Sequence, residues 1–308
     1  MTSPIILVTI MTNSVETIRQ EIESIDRQIH DLLIRRGELG VLVGAAKRKD
    51  SAQIIRPDRE AAKIRGLIER HTGIFPKASI VRIWREIIGA VSLLQTDMKV
   101  AVAAPAQNSL ECWDMARDYF GSVIPMQGVA NPLVAISMVR EGEANFAVLP
   151  WPEDGAENPW WSYLASDDRD QTLRVMVRLP YGEVDAGQGH PEHRALVIAK
   201  LDFLSSDKDH SFLLVDLDQT VSRARVVDKM KSVGLTAISI YSRRTAAVQD
   251  RSLHLVEVDS FVTSDDARLA QLLEKLESPD GKCLALGGYP VLPVLKDEKA
   301  APSAKKSA

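Results

Sequence analysis

The stretch Ile18–Lys47, IRQEIESIDRQIHDLLIRRGELGVLVGAAK, carries apolar residues at Ile18, Ile22, Ile25, Ile29, Leu32, Leu39 and Val43. The steps alternate between four and three with one vacancy, and Arg36 fills it. A 4-3 rhythm sustained over four heptads specifies a long amphipathic helix with a narrow packing seam. Arg36 therefore points into the seam. A guanidinium cannot shed its proton, and burying it alone costs several kcal/mol, so an anion is expected beside it. Lys47 follows eleven residues later, roughly 16 Å along the axis and about 20° around it. Two long cations on one face at that separation can grip one small anion. Taken alone, Arg36 reads first as a boundary residue whose stem packs while its head reaches solvent, and it is the rest of the first hundred residues that favours the anion.

The helix is expected to start near Ser14 and to end in the KRKDS stretch. Gly40 and Gly44 weaken it by about 1 kcal/mol each, but at that spacing they also let another helix approach closely. Pro57 opens a second helix, with Asp58 and Glu60 in the first turn where the dipole favours acids. A third runs from about Lys77 to Thr96 with Ile80, Trp84, Ile87, Val91 and Leu94 in the same rhythm, and Ile88 and Gln95 on its flank. Two short helices cannot cover the seam of a helix roughly 50 Å long, which predicts an intertwined dimer. Arg19 lies seventeen residues before Arg36, roughly 25 Å away along the helix. One small ligand could meet both only if Arg19 came from the other chain; by itself Arg19 also reads as a solvated charge.

The chain has 308 residues, 45% hydrophobic and 26% charged, with net charge −4. That is a globular composition of two or three domains. Mild acidity with 5% aromatics argues against a nucleic-acid surface, and no apolar run is long enough for a membrane span. Cys112 and Cys283 lie far apart with no CxxC spacing, which suggests a reducing, cytoplasmic setting and no structural metal. The opening IILVTIM does not read as a signal peptide. Residues 1–13 and 294–308 read as disordered.

Taken together, I-R-x-E-I-x-x-I-D-x-Q-I, L-L-x-R-R-x-E-L, V-G-x-x-K, R-P-D-R-E and the closing W-R-E-I-I-x-x-x-x-x-L-Q resemble the all-helical chorismate mutase domain. The resemblance is to the domain that opens bifunctional chorismate mutase/prephenate dehydratase proteins, and it covers residues 14–96. It implies a pericyclic Claisen rearrangement of chorismate to prephenate, in phenylalanine and tyrosine biosynthesis, without a cofactor. By that resemblance Arg36 and the partner subunit's Arg19 would each hold a substrate carboxylate, and Arg59 would shape the anionic pocket. Lys47 and Gln95 would meet the ether oxygen, and Glu60 the ring hydroxyl. Val91 departs from the family, where many members carry a Ser.

From Met98 the pattern becomes α/β. KVAVAAP reads as a strand, SLECWDMARDYFG as a helix, and ANPLVAISMVREGEANFAVLPW as a helix and a strand. The order resembles the first lobe of prephenate dehydratases, a periplasmic-binding-like fold, over residues 98–200. The family's G-P-x-G-T-[FY]-[ST] reads Ala104–Leu110 here, P-I-E-N-S reads Pro150–Asp154, and T-R-F reads His193, Arg194, Ala195. The forty or so residues between Pro150 and His193 are too few for a second lobe. The Trp- and Gly-rich loops there are not expected to carry a packed core. His193, in such a loop, reads as exposed rather than as a displaced acid.

Residues 210–293 run strand, helix, strand, strand, helix, strand, and resemble an ACT regulatory domain, L-G-G-Y-P included. Its ligand motifs have drifted: G-A-L reads Val221, Ser222, Arg223, and E-S-R-P reads Tyr241–Arg244. The expectation is a multidomain chain, α then α+β. Its mutase would be homodimeric, and its second half would lack dehydratase chemistry and be structural or regulatory. An aromatic amino acid effector or an aromatic-pathway enzyme would be its partner. A bifunctional enzyme and a non-catalytic chorismate- or prephenate-binding regulator are the alternatives.

Overall fold

The computed structural model describes residues 14–50, 52–103, 109–166, 168, 171–182, 194–243, 251–293 and 295. Three helices come first: α1 (Val15–Lys49), α2 (Pro57–Arg70) and α3 (Lys77–Gln95). Ser14 caps α1, its hydroxyl accepting from the Thr17 amide at 3.2 Å. Lys47, Arg48 and Lys49 occupy the last turn, where the helix dipole favours cations. Pro57 takes the first turn of α2, with Asp58 and Glu60 beside it. The bounds and caps follow the local signals in the sequence.

α1 crosses α3 at two glycines. A Cβ on Gly40 would lie 2.4 Å from Val91 Cγ1, and one on Gly44 would lie 2.9 Å from Gln95 Cγ. Those glycines are the buried residues of α1. The predicted seam is present but this chain does not cover it: Ile22, Ile25, Ile29, Leu32, Leu39 and Val43 are 46–68% exposed. The helical core lies instead between α2 and α3, from Ile64, Ile68, Val81 and Ile88, closed by Leu295. Leu295 corrects the reading of 294–308 as a disordered tail. The rest of that tail, and residues 1–13, lie outside the described residues.

A nine-stranded sheet follows, in the order β2-β1-β3-β5-β4-β9-β6-β8-β7. Its first part comprises β1 (Val100–Ala103), α4 (Ser109–Phe120), β2 (Met126–Val129), α5 (Pro132–Arg140), β3 (Phe146–Pro150), β4 (Arg174–Leu179) and β5 (Ala195–Ala199). β1, β2 and β3 are parallel, while β5 runs antiparallel to both β3 and β4. β1, β3 and β5 are buried on both faces, while the edge strand β2 is partly exposed. Val100, Val102, Phe146, Val148 and Val197 pack on one side with α4. Ala101, Ala103, Ala147, Leu149, Leu196 and Ile198 pack on the other with α5.

The second part comprises β6 (Asp209–Asp218), α6 (Arg223–Ser232), β7 (Ala237–Ser242), β8 (Arg251–Val258), α7 (Ala267–Lys275) and β9 (Lys282–Pro290). Its antiparallel order β9-β6-β8-β7 is the split βαβ arrangement. β9 meets β4 at Val175↔Gly287, so the two α/β parts share one sheet. Gly287 makes that possible: its φ is +79°, and a Cβ there would lie 2.3 Å from the Val175 carbonyl oxygen.

Three features differ from the sequence reading. β2, β4 and β5 escape the periodicity: β2 is four residues with one glycine, β5 is apolar without alternation, and β4 sets three successive apolar residues between Arg174 and Arg178. The Trp-rich loop after β3 is not coreless: Trp160 and Trp161 form a 3₁₀ turn with both rings buried beside Leu164 and Leu173. Two indoles bury enough apolar surface to fix a segment that has little regular structure. The units read as separate at 98–200 and 210–293 are edge-to-edge neighbours in one sheet. Arg65 ties the helices to them, donating to Val291 O at 3.0 Å, Ser206 Oγ at 2.8 Å and Lys208 O at 2.9 Å.

Candidate active site

Where α1 crosses α3 and α2 closes the third side, an open cleft of about 160 Å³ is lined by Arg36, Lys47, Arg59, Glu60, Val91 and Gln95. Six of the seven residues singled out in the sequence therefore share one cavity. The seventh, Arg19, is not among its lining. It is 70% exposed near the start of α1 and lies 4.0 Å from Glu16.

Each side chain is placed by a local rule. Arg36 occupies the vacancy in the heptad and is half-buried; its Nη1 donates to Ile87 O on α3 at 3.3 Å. Burial pushes its pKa below the ordinary arginine value. Lys47, in the last turn of α1, donates to Ile54 O at 2.5 Å, which holds the α1–α2 connection against the helix end. Its pKa is lowered first by burial and then by Arg56 and Arg59, while Glu60 and Asp58 partly offset them. Gln95 ends α3 beside Gly44, and its carbonyl accepts from Arg48. The close approach at Gly40 and Gly44 thus sets Val91 and Gln95 against the face of α1 that carries Arg36 and Lys47.

Glu60 is engaged by Arg85 of α3, whose Nη1 donates to Oε2 at 2.7 Å. Arg56, Lys63, Ile88 and Ser92 also line the cleft. Arg56 forks onto the buried Asp58 at 2.8 and 2.6 Å, and this pairing raises its pKa against the opposing cost of burial. The sequence reading missed Arg56 and Lys63 as lining residues, although each flanks Arg59–Glu60 at helical spacing. It missed Ser92 because only its neighbour Val91 fell in the family's register. The cleft is cationic overall, with one acid and one amide, and suits a small polyanion that also carries a hydroxyl.

In the second half, residues at the drifted motif positions bond to one another. Trp151 Nε1 donates to Tyr241 Oη at 2.7 Å, and Arg194 lies 5.4 Å over the Trp151 ring. Asp154 accepts from Arg223 Nη1 and the Ser242 amide, both at 2.8 Å. Ala104–Asn108, His193 and Arg244 lie outside the described residues.

A helical segment enclosing a cationic cleft, joined to an α/β sheet, is the class that this arrangement defines. Residues 18–96 match the family model described as chorismate mutase type II. The chain is 30% identical over 142 residues to the bifunctional chorismate mutase/prephenate dehydratase of Aquifex aeolicus (strain VF5), covering 43% of this chain and 37% of that protein. It is 28% identical over 193 residues to the protein of the same name from Neisseria gonorrhoeae, covering 62% of this chain and 52% of that one. The matches thus span about two fifths to one half of the length of these curated relatives. Among solved structures, the prephenate dehydratase of Streptococcus mutans is similar at 15% identity and a TM-score of 0.43, over 63% of this chain and 99% of that one. Among the described residues no helix is long and apolar enough to cross a membrane.

Proposed function

We propose that the protein is a homodimeric chorismate mutase converting chorismate to prephenate. The observation that carries this reading is the single cleft gathering Arg36, Lys47, Arg59, Glu60 and Gln95, within the segment that matches the mutase family. Chorismate is a compact dianion. In this reading Arg36 holds one carboxylate, Arg19 of the partner subunit holds the other, and Arg59 keeps the pocket positive. The rearrangement breaks a C–O bond as a C–C bond forms, so negative charge grows on the ether oxygen. Lys47 and Gln95, donors fixed at that oxygen, stabilise the transition state more than the substrate. Glu60 accepts from the ring hydroxyl. Clamping both carboxylates holds the side chain over the ring, an entropic gain. No cofactor is required.

The exposed apolar seam of α1 supports the dimer, because a second α1 laid antiparallel would cover it and bring its Arg19 toward Arg36. The second half is read as a shortened dehydratase-like unit (98–200) and an ACT-like unit (210–293). The first has lost most of its family's catalytic motifs and the second has drifted at its ligand motifs, so the role of this half is read as structural or regulatory, toward an aromatic amino acid effector or an aromatic-pathway enzyme. The relatives' bifunctional names favour a second reading, in which dehydratase activity persists. One assay separates the two: the purified chain is given chorismate, and prephenate and phenylpyruvate are measured. Prephenate alone is the expected product. Phenylpyruvate would establish the bifunctional reading, and unchanged chorismate would remove both.

A further inference from the structure

Arg85 lies behind the cleft, on the side of α3 that faces the sheet, and is 3% exposed. Three groups hold its guanidinium. Nη1 donates to Glu60 Oε2 at 2.7 Å, Nε donates to Tyr119 O at 2.5 Å, and the plane lies 3.8 Å over the Tyr119 ring and 5.2 Å from that of Tyr181. The space around it closes to about 10 Å³, room for one water at most. Burial opposes the charge, but Tyr119, Glu60 and Tyr181 together outweigh it, so the guanidinium holds its proton more firmly than a free one.

Two of those groups come from outside the mutase segment 18–96. Tyr119 is in the last turn of α4, where helix carbonyls lack intrahelical partners and the dipole favours a cation. Tyr181 follows β4. A chain of contacts therefore runs from the end of α4 through Arg85 to the acid of the cleft. With Oε2 held by Arg85, Oε1 is the oxygen left to meet a substrate hydroxyl.

Resting on the mutase reading above, we propose that Arg85 is a positioning residue for Glu60 and that the α/β unit, through Tyr119 and Tyr181, holds Arg85 in place. The second half of the chain is then a working part of the first site: it fixes the orientation of the one acid that faces the substrate. A free helical segment would leave a buried guanidinium without its carbonyl and its rings, and Glu60 would lose its anchor.

The test is a double-mutant cycle on the full-length chain, with chorismate as substrate and unfolding midpoints measured alongside. Arg85→Met, Arg85→Lys and Tyr119→Leu are each made with Glu60 present and with Glu60→Gln. Arg85→Met is expected to lower kcat/KM at least tenfold. Arg85→Lys, which keeps the charge but loses the fork, should recover part of that, and Tyr119→Leu should cost several-fold. In the Glu60→Gln background each loss should shrink below twofold, since partners acting through one group are not additive. Equal losses in both backgrounds would overturn the proposal, as would undiminished kcat/KM in Tyr119→Leu. If Arg85→Met fails to fold, the Tyr119→Leu cycle decides by the same criterion. A parent chain that does not rearrange chorismate sinks the proposed function itself, whereas an active parent with additive losses sinks only the role of Arg85.

Discussion

At the scale of single residues, the proposed chemistry rests most on Lys47. Removing a fixed donor from a developing oxyanion typically costs a hundred- to a thousandfold. Lys47→Ala is therefore expected to lower kcat/KM at least a hundredfold with the oligomeric state unchanged, as read by steady-state kinetics and light scattering. Near-normal turnover would remove Lys47 from the mechanism. Burial, Arg56 and Arg59 hold the ammonium below the ordinary lysine range. The pH profile of kcat/KM reports the free enzyme, so activity should fall on the alkaline side before an ordinary lysine would titrate. Arg56→Gln removes one repelling cation and frees Asp58, and the alkaline limb should move upward. A limb unmoved in that variant would mean another group sets it. On the acid side Gln95 is a neutral donor, and the rate should change little between mildly acidic and neutral pH.

Among the elements, α1 and α3 depend on two glycines that the sequence offers both as weak points of the helix and as a place for another helix to approach. Alanine at Gly40 or Gly44 adds about 1 kcal/mol of helix propensity. It also drives a Cβ to 2.4 Å from Val91 Cγ1 or 2.9 Å from Gln95 Cγ, and overpacking of that kind costs about 1–3 kcal/mol. The contact should win: both variants are expected to melt lower and to lose activity, because Val91 and Gln95 move with α3. Gly66 in α2 is the control. It is exposed with nothing within 4 Å, and Gly66→Ala should stabilise by about 1 kcal/mol. A Gly40→Ala protein that melts higher than the parent would show that the helices separate without penalty.

For the whole molecule, pH and assembly give two tests. His254 of β8 is buried, with Nδ1 2.8 Å from Ser242 Oγ. Burial first, and then Arg223, push its pKa below the usual value of 6.5. The folded state therefore favours neutral imidazole. That contribution is complete above the unfolded pKa and is lost as pH falls through the folded one. The unfolding midpoint should drop on acidification from about pH 6.5, and His254→Gln should flatten that part of the profile. An equal slope in the variant would assign the loss to carboxylates. The dimer is tested by mixing two inactive chains, Arg19→Ala and Arg36→Ala, unfolded and refolded together. A mixed dimer keeps one intact site and should regain activity that neither parent has. No recovery would place Arg19 outside the site.

What could be read from the chain alone is whatever local periodicity and spacing encode. The α1 seam with Arg36 in its vacancy, Ser14 and Pro57 at helix starts, and Lys47 three turns beyond Arg36 all depend on neighbours within a few residues along the same helix. The helical cleft was legible for that reason. The β6–β9 unit was legible too, because its strands are long. Three-dimensional packing decided the rest. It brought the carbonyl of Tyr119 and the ring of Tyr181 to Arg85, buried Trp160 and Trp161 in a stretch without regular pattern, and joined β4 to β9 through Gly287. Each of those contacts links groups far apart in the chain. A buried charge or a close backbone approach is satisfied by whatever the fold brings near, and no periodicity along the sequence records which group that will be.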